Sequence, residues 1–191
     1  MGENTQMDLK LARRLVGLRQ ARNWSLDDAA EASGLSRATL SRIERGETSP
    51  TARQLGQVCS GFGITMSRLL GGLDEHPAGH IRRADQAEWR DPETGFHRRQ
   101  VSPPAAGFAT ELIEGELPQG ATIAYDAPPL AGMEQHIWMI DGTLDFTNGD
   151  ETHRLVAGDT LRLHLWGKTR YDSIGPGAAR YLVVVTYGGA I

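Results

Sequence analysis

Gly-Leu-Ser-Arg-Ala-Thr-Leu-Ser-Arg-Ile-Glu-Arg-Gly, at positions 34–46, decides how the first part of this chain folds. Gly34 closes one short helix in the left-handed conformation that glycine adopts cheaply. Ser36 is placed to cap the next helix by accepting a bond from a backbone N–H near Thr39. Leu40 and Ile43, three apart, set an apolar stripe on the inner face. Arg37, Ala38, Ser41 and Arg42 are left on the outer face, and Gly46 ends the helix. A short helix with two arginines outside and two aliphatics inside suits insertion into a groove walled by phosphates.

The neighbouring residues repeat the same helical logic. Residues 1–7 read as an unstructured tail. From Leu9 to Arg22, Leu11, Leu15 and Leu18 recur at helical spacing, widened by Val16, until Asn23 breaks the pattern. Ser25 can cap a second helix through Ser33, with Asp27 and Asp28 in the first turn, where the helix dipole favours acid. A fourth helix starts at Thr51 with Leu55, Val58, Cys59 and Phe62 inside, and Gly61 and Gly63 are expected to end it. A fifth runs from Thr65 to Leu70. Five helices in so short a span, joined by tight turns, predict a compact all-α unit over 8–70.

Residues 71–84, with Gly71-Gly72, Pro77 and Gly79, read as a linker. The character then changes. Short β-rich runs at 109–117, 121–126, 136–140, 143–147, 152–156, 160–165, 169–174 and 179–187 alternate with Gly, Pro, Asp and Asn turns. Asn148-Gly149-Asp150 between two runs is a strong hairpin signal. Many short strands with regular turns imply a sandwich or closed barrel over 85–191, with a core separate from that of the helices. The strand order within 85–110, which holds Trp89, Phe96 and Phe108, stays open.

Charge divides along the same boundary. Residues 1–70 carry a net +3 and residues 71–191 a net −7, within a total of −4. A mildly basic head beside an acidic body suits a protein that offers only its head to a polyanion. Cys59 is the single cysteine, so no internal disulfide or zinc finger is available, and its apolar setting predicts a reduced core thiol. The apolar runs are too short to span a bilayer and the N-terminus has no signal-peptide pattern, so a cytoplasmic protein is the expectation.

The head resembles the XRE, or phage repressor-like, helix-turn-helix family. The resemblance is carried by Leu-Arg-Gln-Ala-Arg at 18–22, Ser-Leu-Asp-Asp-Ala-Ala at 25–30, the stretch 34–46 and Ser-Pro-Thr at 49–51. It implies double-stranded DNA as the partner. Ser36, Arg37, Ala38 and Arg42 match positions that meet bases or nearby phosphates, with Ser41 of the same outer face expected to bind DNA beside them, and Arg45 and Thr48 match positions where the following loop meets the backbone. Arg19 and Glu44 match a pair that the family buries as a structural ion pair. Leu26 departs from the pattern: it stands where the family often has a phosphate-contacting glutamine, so that contact must come from elsewhere.

The segment from Leu117 to Tyr187 is similar to the small cupin domain that follows such a head in many bacterial regulators. Leu-Pro-Gln-Gly-Ala at 117–121, Glu-Gln-His-Ile-Trp-Met-Ile-Asp-Gly-Thr-Leu-Asp-Phe at 134–146, Ala-Gly-Asp-Thr-Leu at 157–161 and Ala-Arg-Tyr-Leu-Val-Val-Val at 179–185 carry that likeness. The departures concern metal. Pro128-Pro129-Leu130 replaces the family's histidine pair, Gln135 its glutamate and Thr169 its last histidine. An amide and a hydroxyl do not hold a divalent ion tightly. His136 should face away from Gln135 by strand alternation. His164 offers a rearranged site as an alternative, while His76, His80 and His97 fall in the linker or early body. No cofactor and no catalytic group is expected.

Strand alternation puts Gln135, Ile137 and Met139 on one face, and Thr169, Tyr171 and Ser173 on another. With Tyr125 and Arg170 as weaker candidates, they would line a mixed pocket for a small polar organic molecule. The chain therefore reads as a DNA-binding regulator, acting as a homodimer, with a metal-free sensor body and no membrane contact. A metal-dependent cupin enzyme with an appended head, or a dimer whose barrel is filled and binds nothing, are the alternatives.

Overall fold

The computed structural model describes residues 3–71, 79–105 and 107–187, with the side chains of 3–6 left aside. Five helices come first: α1 (Glu3–Ala21), α2 (Leu26–Ser33), α3 (Arg37–Glu44), α4 (Ala52–Phe62) and α5 (Met66–Gly71). Their ends obey the local chemistry expected of them. Ser25 and Asp28 form a reciprocal capping box on α2, and Thr51 and Gln54 form another on α4. Ser36 accepts the Thr39 N–H at 3.1 Å to start α3, and Gly34 closes α2 at φ 68°.

Two expectations for the helices are corrected. The tail expected at 1–7 is helical from Glu3: Met7 packs on the core and Asp8 hydrogen-bonds Ser49, so tertiary contacts extend α1. Gly61 does not end α4 but lies inside it. A Cβ there would come 2.4 Å from the Ala32 carbonyl, so glycine lets α4 lie directly on α2. Much of the expected linker, 72–78, lies outside the described residues.

Ten strands follow: β1 (Glu88–Arg90), β2 (His97–Ser102), β3 (Thr110–Leu117), β4 (Thr122–Tyr125), β5 (Glu134–Asp141), β6 (Thr143–Asn148), β7 (Glu151–Val156), β8 (Thr160–His164), β9 (Thr169–Ser173) and β10 (Ala179–Thr186). One sheet runs β1-β2-β3-β10-β5-β8 and the other β4-β9-β6-β7, all pairs antiparallel. Strands β3 to β10 thus fill two four-stranded sheets in jelly-roll order, the cupin-type architecture. The expected hairpin joins β6 to β7, with Asn148 opposite Glu151. The open region 85–110 resolves into β1 and β2, which extend the first sheet by two strands.

The head and the body do not keep separate cores. A single contiguous cluster of buried side chains runs from Leu11 and Leu40 through Leu55 and Phe62 to Phe96, Tyr171 and Val185. Polar bonds lock the junction. The Ala52 N–H donates to Asp91 at 3.0 Å, Thr65 Oγ1 to Glu111 at 2.8 Å, Arg98 Nη2 to Ser67 Oγ at 2.8 Å and Gln100 Nε2 to the Ser67 carbonyl at 2.9 Å. Helix α4 is thus held between α2 on one side and β4 of the jelly roll on another.

Candidate functional site

The outer face of α3 is built as its sequence demands. Leu40 and Ile43 are buried, while Ser36, Arg37, Ala38, Arg42 and Arg45 are exposed and Ser41 and Thr48 half-buried. Arg37 rests on Asp27 at 3.0 Å, an exposed pair that phosphates can displace at little cost. Arg45 grips Glu47 through two bonds of 2.6 and 2.8 Å and also donates to Ser41 Oγ. That grip raises the pKa of Arg45 and lowers that of Glu47, in each case through the shared hydrogen bonds first. Behind α3, Arg19 meets Glu44 through bonds of 2.7 and 2.9 Å and donates a third to the Trp24 carbonyl at 3.1 Å. The ion pair expected from the resemblance therefore joins α1 to α3.

A second site lies between head and body. A cavity of about 120 Å³ is walled by Gly56 and Cys59 of α4, by Thr65 and Met66 at the start of α5, and by the inner faces of both sheets. Of the residues expected to line a pocket, Tyr125, Gln135, Thr169 and Tyr171 do so. Gln135 Nε2 donates to the Tyr171 hydroxyl at 3.0 Å, and both are buried. Ile137, Met139 and Ser173 do not. Ile137 and Met139 share the inward face with Gln135 but are fully packed in the core, and Ser173 borders a separate shallow depression with Gln119 and Thr122. Arg170 is exposed and paired with Asp172.

The cavity also holds residues that alternation on single strands could have revealed. Glu111 is in phase with the buried Ile113 and Leu117 on β3, and Tyr181 with Val183 and Val185 on β10. A carboxylate or phenol in register with an inward apolar set marks a polar spot in the interior. Arg98 carries no such signal, because β2 reads His-Arg-Arg-Gln-Val-Ser with charged and amide groups on its buried positions.

The donor set does not fit a divalent metal. Gln135 and Thr169 offer an amide and a hydroxyl, and no group of three histidine, cysteine, aspartate or glutamate side chains converges among the described residues. His164 is exposed, and His136 turns outward to Glu134 at 2.7 Å. His97 meets Glu88 at 3.1 Å on the outer sheet edge, His80 is exposed, and His76 lies outside the described residues. The Cys59 thiol is buried and its pKa is pushed up to about 12, chiefly by burial, which makes it a poor ligand or nucleophile.

The aromatic lining has a measurable consequence. Burial pushes Tyr125 and Tyr181 well above the ordinary phenol value and Tyr171 up to about 12. Tyr187 rises to about 12 through burial and then Glu111. All four tyrosines of the chain are thus raised. A raised acid favours folding while neutral, so this contribution is whole below pH ~10, where unfolded phenols begin to ionise, and is lost as pH climbs through about 12. Phenolate absorbance should therefore stay flat near pH 10 and rise only with unfolding; a phenol titrating near 10 in the folded protein would contradict the packing.

Gly56 is a point of close approach of head to body. A Cβ there would sit 2.5 Å from Tyr125 Cδ1. Gly56→Ala should destabilise by about 1–3 kcal/mol through overpacking. Gly17→Ala, mid-α1 with nothing within 4 Å, should stabilise by about 0.5–1 kcal/mol. Melting temperatures that moved the same way for both would refute the contact.

Residues 17–69 match the helix-turn-helix family HTH_3. The head is an HTH_3 domain. The HTH-type transcriptional regulator SutR of Escherichia coli (strain K12) is 29% identical over 152 residues, 80% of each chain. The HTH-type transcriptional regulator DdrOP3 of Deinococcus deserti is 42% identical over 66 residues, 35% of this chain and 51% of that protein. A crystal structure of an HTH_3 family transcriptional regulator from Vibrio cholerae superposes with a TM-score of 0.81 at 23% identity, covering 98% of this chain and all of that one. The HTH_3 head on a two-sheet body is therefore a fold shared from end to end with a solved protein. Among the described residues no helix is long and apolar enough to cross a membrane.

Proposed function

We propose that this helix-turn-helix transcriptional regulator binds operator DNA as a cytoplasmic homodimer, and that its jelly-roll body senses a small molecule without performing catalysis. The observation that carries the reading is the position of the cavity. Its wall belongs partly to α4 and α5 of the DNA-binding head and partly to the barrel. A molecule held there touches both units, so its binding energy depends on how they are docked. Linkage then requires that the docking, and with it DNA affinity, depend on the ligand.

The dimer rests on two arguments. One HTH_3 head spans one half-site, and specific affinity at physiological salt normally needs two. On the outer face of β5, Trp138 and Ile140 are 49% and 37% exposed, an apolar ledge suited to a second copy. Selection of bound duplexes from a random pool tests the reading. Enrichment of two inverted half-sites about one helical turn apart is expected. Enrichment of a lone half-site overturns the dimer, and no enrichment overturns operator binding. A compound that binds the cavity with equal affinity in the presence and absence of the selected duplex overturns the linkage.

A further inference from the structure

The cavity wall carries a buried cation, Arg98, whose charge Glu111 on the same wall partly offsets and whose hydrogen bonds are left incomplete. Arg98 is 7% exposed and lines the cavity from β2. Its Nη2 donates to Ser67 Oγ, but among the described residues Nη1 has no hydrogen-bond acceptor. Burial depresses its pKa, yet a guanidinium stays charged in a folded protein. The Tyr181 hydroxyl borders the same cavity, is buried, and also lacks a partner among the described residues.

Register brings these two groups together. Arg98 on β2 is opposite Gly115 on β3, and Gly115 is opposite Tyr181 on β10. The three residues form one row across three neighbouring strands. The tyrosine ring lies over the glycine: a Cβ on Gly115 would come 2.6 Å from Tyr181 Cε2 and 3.1 Å from its hydroxyl. The missing side chain lets the hydroxyl lean across β3 toward β2, where Arg98 stands.

We propose that the cavity takes a small organic monocarboxylate, with its two oxygens accepting from Arg98 Nη1 and the Tyr181 hydroxyl. Two donors and one positive charge suit a carboxylate, whose paired oxygens accept charge-assisted bonds. The remaining wall is largely apolar, with Met66, Phe96 and Met133 among it, so an inorganic anion would leave most of it untouched. Glu111 sets the charge limit. It is 1% exposed on the same wall and accepts from Thr65, so a second negative charge on the ligand would face a buried carboxylate. The volume of about 120 Å³ selects a short chain. Arg98 holds the ligand with one nitrogen and Ser67 of α5 with the other, so the anion acts directly on the contact that docks the head.

This assignment rests on the sensing reading, and its test separates the two. Propionate, butyrate and valerate are titrated into the intact protein against their amides and the matching alkylamines, with succinate as the dianion. Melting shifts and calorimetry read the binding. The monocarboxylates should bind saturably, with amides, amines and succinate at least about tenfold weaker. Arg98→Met and the isosteric Tyr181→Phe should each weaken butyrate by about tenfold or more. Tyr181→Phe removes one oxygen and keeps the ring, so it reports even where Arg98→Met fails to fold. Amides or amines binding as well as the acids, or Tyr181→Phe binding butyrate undiminished, overturn the assignment and leave the sensor standing. Binding by none of the probes also overturns it, while the sensor is then judged by the operator-linkage measurement alone.

Discussion

Replacing Arg37 and Arg42 together with alanine should abolish sequence-specific DNA binding and leave the protein folded. Both side chains are exposed on the outer face of α3, opposite the buried Leu40 and Ile43. Neither contributes to the core, so melting temperature should change little, as for most surface substitutions. An arginine that grips a guanine edge through two parallel bonds supplies about 1–3 kcal/mol of discrimination. Losing two such contacts should lower affinity for the selected duplex by about a hundredfold or more. The salt dependence distinguishes their roles. A residue that touches only phosphate weakens all duplexes alike and reduces the salt slope by about one. A residue that reads a base also narrows the gap between the selected duplex and a scrambled one. Titrations of both duplexes at two salt concentrations measure both effects. A double variant that keeps its preference for the selected duplex would show that α3 does not enter the groove by this face.

Arg45 defines the boundary of that argument. It is held by Glu47 and Ser41, so on the proposed docking it would meet DNA only after exchanging Glu47 for a phosphate. Arg42 makes no such exchange in the described contacts, and Arg37 has only an exposed aspartate to leave. On the proposed docking, the base-reading work would fall to the two residues whose release is easiest.

What could be read from the sequence follows from where the signal is local. The caps at Ser25, Ser36 and Thr51 involve residues three apart, and they stand where the sequence puts them. Strands β6 and β10 alternate buried side chains with less buried ones along their length, and both were legible for that reason. β2 was not. Its buried positions are Arg98, Arg99 and Gln100, so the pattern that announces a strand is absent. Those residues are buried by partners far along the chain: Ser67 takes Arg98 and Gln100, while Gln86 and Glu114 take Arg99. The cavity divides in the same way. Gln135, Thr169 and Tyr171 were legible from strand phase and from the family's ligand positions. Ile137 and Met139 share that phase yet lie deeper, because alternation gives the face of a residue and not its depth. The contribution of α4 and α5 was invisible, since it arises from docking the head on the body. Gly56 carries a hint of that docking: a glycine inside a helix costs about 0.5–1 kcal/mol against alanine, so a close neighbour is a reason to keep it.

The ion pair behind α3 yields the largest expected loss of stability. Arg19 and Glu44 have side chains 18% and 8% exposed and are joined by two parallel bonds. Glu44→Ala leaves a guanidinium with only the Trp24 carbonyl for company in a site too enclosed for full hydration. Removing one member of a buried pair costs about 3–5 kcal/mol, and the remaining exposure of Arg19 places this pair near the lower figure. Arg19→Ala should cost a similar amount by stranding the more buried carboxylate. Replacing both at once, as Arg19→Met with Glu44→Leu, should recover most of the loss, because two apolar groups of similar volume leave no charge unpaired. Chemical denaturation of the three variants measures the coupling. Additive losses in the double variant would mean that each side chain acts alone and that the pair is a surface contact. The coupling also bears on DNA binding, because Glu44 is the last residue of α3 and Arg19 belongs to α1. The pair fixes the recognition helix against the rest of the head. The double apolar variant should therefore fold at near-native stability yet bind the selected duplex more weakly, through a helix whose orientation is no longer pinned by two directional bonds.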